Sequence, residues 1–492
     1  MERIRALTET ERRFFSFLAD TIFSNPFSFN QAKKDARTAE YIDSENLGGN
    51  TGKHEALIPV VNERLRILRS DGISKLDEIK SEDRQLLEYA ILFQTYHRYL
   101  DDFNALIEKQ NQAETKPVTV GFAKSLLNDL HQSGFNKDEA LRYIAIFYQL
   151  RRAFYFIENT LIGDSESMKS LRRSLWNNVF TADMQSYGDL FWNRMEDFST
   201  LLLGETGTGK GTAAAAIGCS GLIPFDAQAN RFQHSFHETF IATNLSQFPE
   251  SLIESELFGH RKGAFTGAVA NHKGIFERCS SHGALFLDEI GELSPPVQIK
   301  LLNVIQERNF SPVGSHDTLR FEGRVIAATN QNLSELRRTN HFRDDFFYRL
   351  SSDIIEVPPL RSRINESPDE LRQLVSLLVS RMAGRRSEAF ESRILDILSS
   401  ELPKHYPWPG NVRELEQAIR RIILTGRYQG SEHQQPLNSY LEHVSKGQFT
   451  TQELLSGYYK QLYQDLGSYE AVAKRTAVDR RTVKKYIDDE EL

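Results

Sequence analysis

Along RQLLEYAILFQTYHRYLDDFNALI the apolar residues fall at Leu86, Tyr89, Phe93, Tyr96, Leu100, Phe103 and Ile107. Steps of three and four draw one stripe along an amphipathic helix. The stretch EALRYIAIFYQLRRAFYFI is apolar on more than one face, the pattern of a central, buried helix. Its Arg151 and Arg152 fit either surface or ion-paired arginines, the plainer expectation, or an anion site. Residues 1–157 thus read as a helical N-terminal domain. Over 158–363 short apolar runs (TLLLG, ALFLDE, RVIAATN) alternate with helical stretches, as parallel strands joined by crossover helices do. Residues 364–430 return to helix. A polar linker at 431–450 (GSEHQQPLNS within it) precedes a small basic helical unit at 451–492. The predicted fold class is multidomain: α/β plus α.

A chain of 492 residues exceeds one core and suggests roughly three domains at about 150 residues each. Its net charge of -7 excludes a general polyanion binder, so any nucleic-acid contact needs a local basic patch. Two cysteines, Cys219 and Cys279, exclude a disulfide framework and read as buried thiols. MERIRALTETERRFF has no apolar signal core, and no apolar run nears the roughly 20 residues of a membrane span. The cytoplasm is the expected compartment.

GETGTGKG follows the apolar strand at 199–203 and precedes the helix former TAAAAI. Gly204, Gly207 and Gly209 let the backbone curl until its N–H groups face phosphate oxygens. Glu205, Thr206 and Thr208 complete the loop, Lys210 adds charge at the β/γ phosphates, and the next helix adds its positive end. This placement between strand and helix predicts ATP or GTP binding. Gly211 stands where many such loops carry the Ser or Thr that holds magnesium, and Thr212 comes one residue late. The metal role therefore falls on ALFLDEIGEL: Asp288 for Mg2+, Glu289 to polarise the attacking water. Thr329 and Asn330, at the end of RVIAATN, are placed to sense a γ-phosphate. GGNTGKH at 48–54 also ends in Gly-Lys, but Leu47 replaces the first glycine and no buried strand precedes it. It reads as a flexible turn.

At HRKGAFTGA, together with ESELFGH, LFLDEIGEL, FRDDFFYRL and YPWPGNVRELE, the sequence resembles the AAA+ domain of the bacterial sigma-54-dependent transcription activators. The likeness covers roughly 160–425, and LIGDSESM looks like the start of that domain, with Ile162 at the nucleotide. It implies an ATPase α/β subdomain with a helical lid, ATP and Mg2+ as cofactors, and a ring, likewise a hexamer. It implies that Gly263, Ala264, Phe265, Thr266, Gly267 and Ala268 touch sigma-54, with Phe265 as the contacting aromatic. The residues agree, since small groups around one phenylalanine make a mobile loop with a single apolar anchor. Further implied roles are Asn244 as the partner of Glu289, Arg343 and Arg349 as arginine fingers for a neighbouring subunit, and Arg413 as the lid arginine in cis. Trp408, Pro409 and Gly410 would make the turn that sets the lid helix.

Two departures stand out. Gly211 replaces the family's usual Glu, and GCSGLIPFDAQANRFQHSFHETF is longer than the usual connection, as an added hairpin or loop at the subunit boundary. In SYEAVAKRTAVDRRTVKKYI, Val472, Ala473, Val478, Val483 and Ile487 suit the core of a helix-turn-helix. Arg480, Arg481, Thr482, Lys484 and Lys485 fit phosphate and major-groove contact, and the unit resembles a Fis-type DNA-binding domain. The expected function is a DNA-bound, ring-forming ATPase that remodels closed complexes of sigma-54 RNA polymerase. A AAA+ remodeller with another client, and a DNA-binding regulator with little ATPase activity, are the rivals. The N-terminal domain lacks a phosphoryl-receiver pattern and reads as a ligand- or partner-binding module for an unnamed signal.

Overall fold

The computed structural model describes residues 5–28, 52–430 and 450–488. Two compact units result, 1–428 and 429–492.

The N-terminal region is helical: α1 (Glu9–Ile22), α2 (Gly52–Ser70), α3 (Ser81–Arg98), α4 (Leu100–Ala113), α5 (Ala123–Gln132) and α6 (Lys137–Thr160). Capping boxes start two of them, Thr8 with Glu11 at α1 and Asn136 with Glu139 at α6. The stripe from Leu86 to Ile107 is not one helix. It breaks at Tyr99, the C-cap of α3 and N-cap of α4, whose hydroxyl donates to Asp129. Phe93, Phe103 and Ile107 are buried, whereas Leu86, Tyr89 and Tyr96 are half-buried, because the buried face of α3 runs along Asp83, Leu87, Ala90, Ile91 and Gln94. Of the expected turn at 48–54, residues 48–51 lie outside the described residues. Residues 52–54 instead open α2, where LIPVVNERLRIL supplies helical periodicity.

After α7 (Glu166–Phe180) comes the α/β layer. Its strands are β1 (Thr200–Leu203), β4 (Phe240–Asn244), β5 (Ala284–Asp288), β8 (Arg324–Thr329) and β9 (Asp353–Glu356), all parallel, in the order β4-β5-β8-β1-β9. Buried on both faces, β5 and β8 are continuous apolar runs. The intervening α8 (Lys210–Gly218), α9 (Glu250–Phe258), α10 (Pro295–Glu307) and α11 (Asp344–Leu350) lie between these strands in sequence. Two short hairpins interrupt the layer: β2 (Phe225–Asp226) with β3 (Arg231–Phe232), and β6 (Asn309–Phe310) with β7 (Leu319–Arg320). A helical lid follows, α12 (Leu360–Glu366), α13 (Asp369–Ala383), α14 (Glu388–Glu401) and α15 (Asn411–Thr425), around Trp408, Leu415 and Ile419.

The insertion at 218–240 is the β2–β3 hairpin, and it docks on the N-terminal helices of the same chain. Phe225, Phe232 and Phe236 join one hydrophobic core with α1–α6. Tyr148 stacks on Phe232 with ring centroids 4.0 Å apart, and Val120 and Asn230 exchange hydrogen bonds of 3.0 Å in both directions. The core therefore does not stop at residue 157.

In the second unit, α16 (Thr451–Leu466), α17 (Tyr469–Thr476) and α18 (Arg480–Asp488) pack around Tyr459, Val472 and Val483. Ala473, Val478 and Ile487 pack against that centre as their spacing predicts.

Candidate functional site

Parallel pairing brings the predicted residues to one edge of the sheet. Leu203 pairs with Thr329, and Asn244 with Asp288, so the strand tips of β1, β8, β5 and β4 stand side by side. Crevices outside such carboxyl ends are where ligands collect in open α/β sheets.

The Gly204–Lys210 loop leaves β1 here. Gly207 has φ 79° and Gly209 φ 105°, left-handed values that favour glycine. A Cβ at Gly207 would also strike the Gly410 carbonyl at 2.3 Å, so this glycine lets the lid close on the loop. Gly209 caps α8, whose first-turn amides lack intrahelical acceptors and suit an anion. Lys210 Nζ donates to the carbonyls of Gly204 (2.9 Å) and Glu205 (3.2 Å). Burial holds its pKa below the ordinary lysine value, against the pull of Glu289 and Asp288. Gly211 is exposed and a Cβ there would meet only Phe286, at 3.9 Å, so nothing steric demands glycine. Thr212 is exposed on the same turn.

Asp288 and Glu289 end β5. Asp288 Oδ1 accepts from the Glu289 amide at 3.0 Å, and Glu289 has φ 58°. Glu289 Oε2 is buried without a hydrogen-bond partner. Burial raises the Glu289 pKa above the ordinary glutamate value, Lys210 opposes this, and Asp288 adds to it. A carboxylate so raised is a stronger base than a solvated one. Asn330 Nδ2 donates to Thr206 Oγ1 at 2.7 Å, and buried Thr329 Oγ1 accepts from the Gln331 amide. Asn244 is beside Asp288, but its Oδ1 caps the following turn by accepting from Ser246 N and Oγ (3.0 and 2.7 Å). It makes no hydrogen bond to Glu289 here.

The Ile162 carbonyl accepts from Arg363 (2.6 Å), which is paired to buried Glu370 (2.7 Å). Arg413 is exposed and near enough to lower the Lys210 pKa. Trp408 at φ 49° and Asn411 at φ 54° form the expected turn before α15. Arg343 pairs in cis with Asp345 (2.6 Å), and Arg349 donates to the Ile305 carbonyl (3.1 Å), so neither reaches the loop of its own chain. Three residues were missed. Asn411 donates to Glu205 and the Thr206 carbonyl at 3.1 Å, and Arg361 pairs with Glu205 (2.5 Å). Arg152, read as surface or ion-paired, is fully buried instead and bonds the carbonyls of Cys219 (2.5 Å) and Gly221 (2.7 Å). Only the double Arg in an otherwise apolar helix could have flagged it.

The loop at 263–268 is tight. Gly263 N donates to the Ala268 carbonyl (2.8 Å), with Gly263 and Gly267 at φ 83° and 100°. Phe265 is 38% exposed and lies edge-on to His260 at 4.9 Å, while Val269, a second apolar tip residue, is 82% exposed. His260 and His272 pair at the base, and Val313 of the β6–β7 connection braces it.

Comparison with known proteins now decides the lineage. The Sigma-54 interaction domain profile matches residues 186–356, and the AAA+ ATPase lid domain profile matches 366–453. The transcriptional regulatory protein ZraR of Klebsiella oxytoca is 36% identical over 379 residues, 76% of this chain and 74% of ZraR. The chain belongs to the sigma-54-dependent transcriptional regulators. This regulator is also 36% identical to the Nif-specific regulatory protein of Azotobacter vinelandii over 61% of the chain, spanning about half (49%) of that protein's length. Among solved structures, NtrX from Brucella abortus in complex with ATP is similar over 74% of this chain and 79% of that one, at 19% identity and a TM-score of 0.41. Among the described residues, no helix is long and apolar enough to cross a membrane.

Proposed function

We infer that this regulator is a DNA-bound ATPase that works as a ring and converts closed complexes of sigma-54 RNA polymerase into open ones. The observation that carries the reading is one domain holding both a phosphate loop faced by Asp288 and Glu289 and an intact glycine-flanked tip at Gly263–Ala268. Lys210 and the start of α8 would bind the β/γ phosphates. Mg2+ takes one or two carboxylates together with phosphate oxygens and water. Asp288, with the unpartnered Glu289 Oε2 beside it, fits that demand, and Gly211 contributes no hydroxyl. Such an ion would supply charge neutralisation at the phosphates. Glu289 takes a proton from the attacking water, and Asn244 is the residue that would hold or release it.

The arginines explain why one chain is not enough. Arg343 and Arg349 have partners in their own chain other than its phosphate loop; by the family likeness they would exchange these for a neighbouring subunit's nucleotide, a contribution worth about 10³–10⁵ in rate. Their ring, a hexamer by family likeness, presents Phe265 to sigma-54. Exposed Arg480, Arg481, Lys484 and Lys485 on α18 suit phosphate contact, and Thr482, in the first turn of that helix, donates to the Asp479 cap. The compartment consistent with this work is the cytoplasm.

The test separates motor from client. Phe265→Ala is expected to keep ATP turnover and lose engagement of sigma-54 in a transition-state-analogue complex. Retained engagement would remove the loop assignment and leave a remodeller with another client.

A further inference from the structure

The C-terminal end of the phosphate-loop helix is gripped by the N-terminal domain. Three successive carbonyls beyond α8 accept from one face of α6: Cys219 from Arg152 Nη1 (2.5 Å), Ser220 from Gln149 Nε2 (3.0 Å) and Gly221 from Arg152 Nη2 (2.7 Å). Arg152 has no exposed surface, and no carboxylate pairs with it among the described residues. A buried cation with no anion is costly. What offsets the cost here is the negative end of α8, the lone pairs of the Cys219 and Gly221 carbonyls, and the Tyr148 ring 4.5 Å below the guanidinium. The grip is itself fixed: Gln149 Oε1 accepts from buried Tyr187 (2.7 Å), and the β2–β3 hairpin closes over it through Phe232 and Phe236.

The same helix also leads to the lid. After Thr160, where α6 ends, the chain runs directly into Ile162, which Arg363 and Glu370 pin, and Gly163 leaves no room for a Cβ against Glu370. One helix therefore meets the lid through the segment at its end and the far end of the phosphate-loop helix at its middle. We propose that Arg152, supported by Gln149, is a positioning residue for nucleotide binding, through which the N-terminal domain sets the placement of α8 and hence of Lys210.

This rests on the reading of Gly204–Lys210 as an ATP site, and the test keeps the two apart. In the full chain, ADP affinity and steady-state ATP turnover are measured for wild type, Arg152→Met and Arg152→Lys. Arg152→Met leaves carbonyls unsatisfied, so Kd for ADP and KM for ATP are expected to rise roughly tenfold, with kcat falling less than about threefold. Arg152→Lys is expected to recover part of the affinity. A merely structural residue would lower Tm and the active fraction with Kd and KM unchanged, and that result overturns the proposal. Should Arg152→Met not fold, hydrogen exchange on wild type decides: ADP is expected to protect amides of 218–240 and of α6, by reciprocity of coupling. Unchanged exchange there, with protection at 204–212, overturns the proposal and spares the ATP site. A wild-type chain that binds no ADP removes both.

Discussion

At its N-terminal end α8 meets three glycines and a lysine from its own loop; at its C-terminal end it meets an arginine and a glutamine from a helical domain earlier in the chain. The first end is built from backbone, with positive φ at Gly207 and Gly209 and amides left open for an anion. The second is built from side chains whose hydrogen bonds are all internal. On the proposal above, a helix open at one end and clamped at the other would carry displacement between them, because packed interiors shift as units.

The comparison is broken most severely at the open end. Arg343→Ala is expected to lower ATP turnover of the assembled ring by about 10³-fold or more while ADP binding stays intact, checked by steady-state kinetics beside nucleotide titration. Loss of ADP binding in that variant would place Arg343 in its own chain's site. At the clamped end, Phe232→Ala removes the ring stacked on Tyr148 and is expected to cost about 3–5 kcal/mol, read as a lower denaturation midpoint of one joint transition. A separate early transition for the N-terminal helices would deny the shared core. For the same reason, a chain truncated before residue 158 is expected to aggregate rather than report on regulation, since it bares Phe225, Phe232 and Phe236.

Smaller changes sharpen the contrast. Gly211→Ala is expected to stabilise the chain by up to about 1 kcal/mol with turnover retained, since a Cβ there reaches only Phe286. Lost turnover with ADP still bound would mean that the loop needs glycine for its motion. The smallest effect concerns His237, whose ring bonds Asn111 across the hairpin and whose pKa burial lowers. Its contribution is present above the unfolded value of 6.5 and is lost as pH falls towards the depressed folded value, because the unfolded chain then binds the proton more readily. Stability measured from pH 8 to 5 should therefore fall less steeply for His237→Gln than for wild type.

What the residues disclosed and what they hid follow the same division. The meeting of Gly207, Lys210 and Asp288 at one sheet edge was legible because strand, glycines and helix follow one another over short local spacing, whereas the 263–268 loop stood out only through the family resemblance. The order β4-β5-β8-β1-β9 was not, since pairing across the sheet leaves no local mark, although it is what sets Asn244 beside Asp288. Arg152 was misread because an arginine in sequence looks the same whether its partner is water, a carboxylate or two distant carbonyls. The β2–β3 insertion was visible as extra length, yet its dock on α6 rests on contacts between residues about as far apart as Tyr148 and Phe232. The break at Tyr99 escaped periodicity because the same steps continue through it.

If ATP turnover by this chain drives opening of a sigma-54 promoter, the promoter melts only while ATP is hydrolysed. The direct measurement is permanganate footprinting of promoter DNA with purified full-length protein, sigma-54 RNA polymerase and ATP or a non-hydrolysable analogue. An open complex is expected with ATP, none with the analogue, and none with Phe265→Ala at undiminished turnover. ATP turnover by the wild-type chain with no open complex on any sigma-54 promoter tested would contradict it.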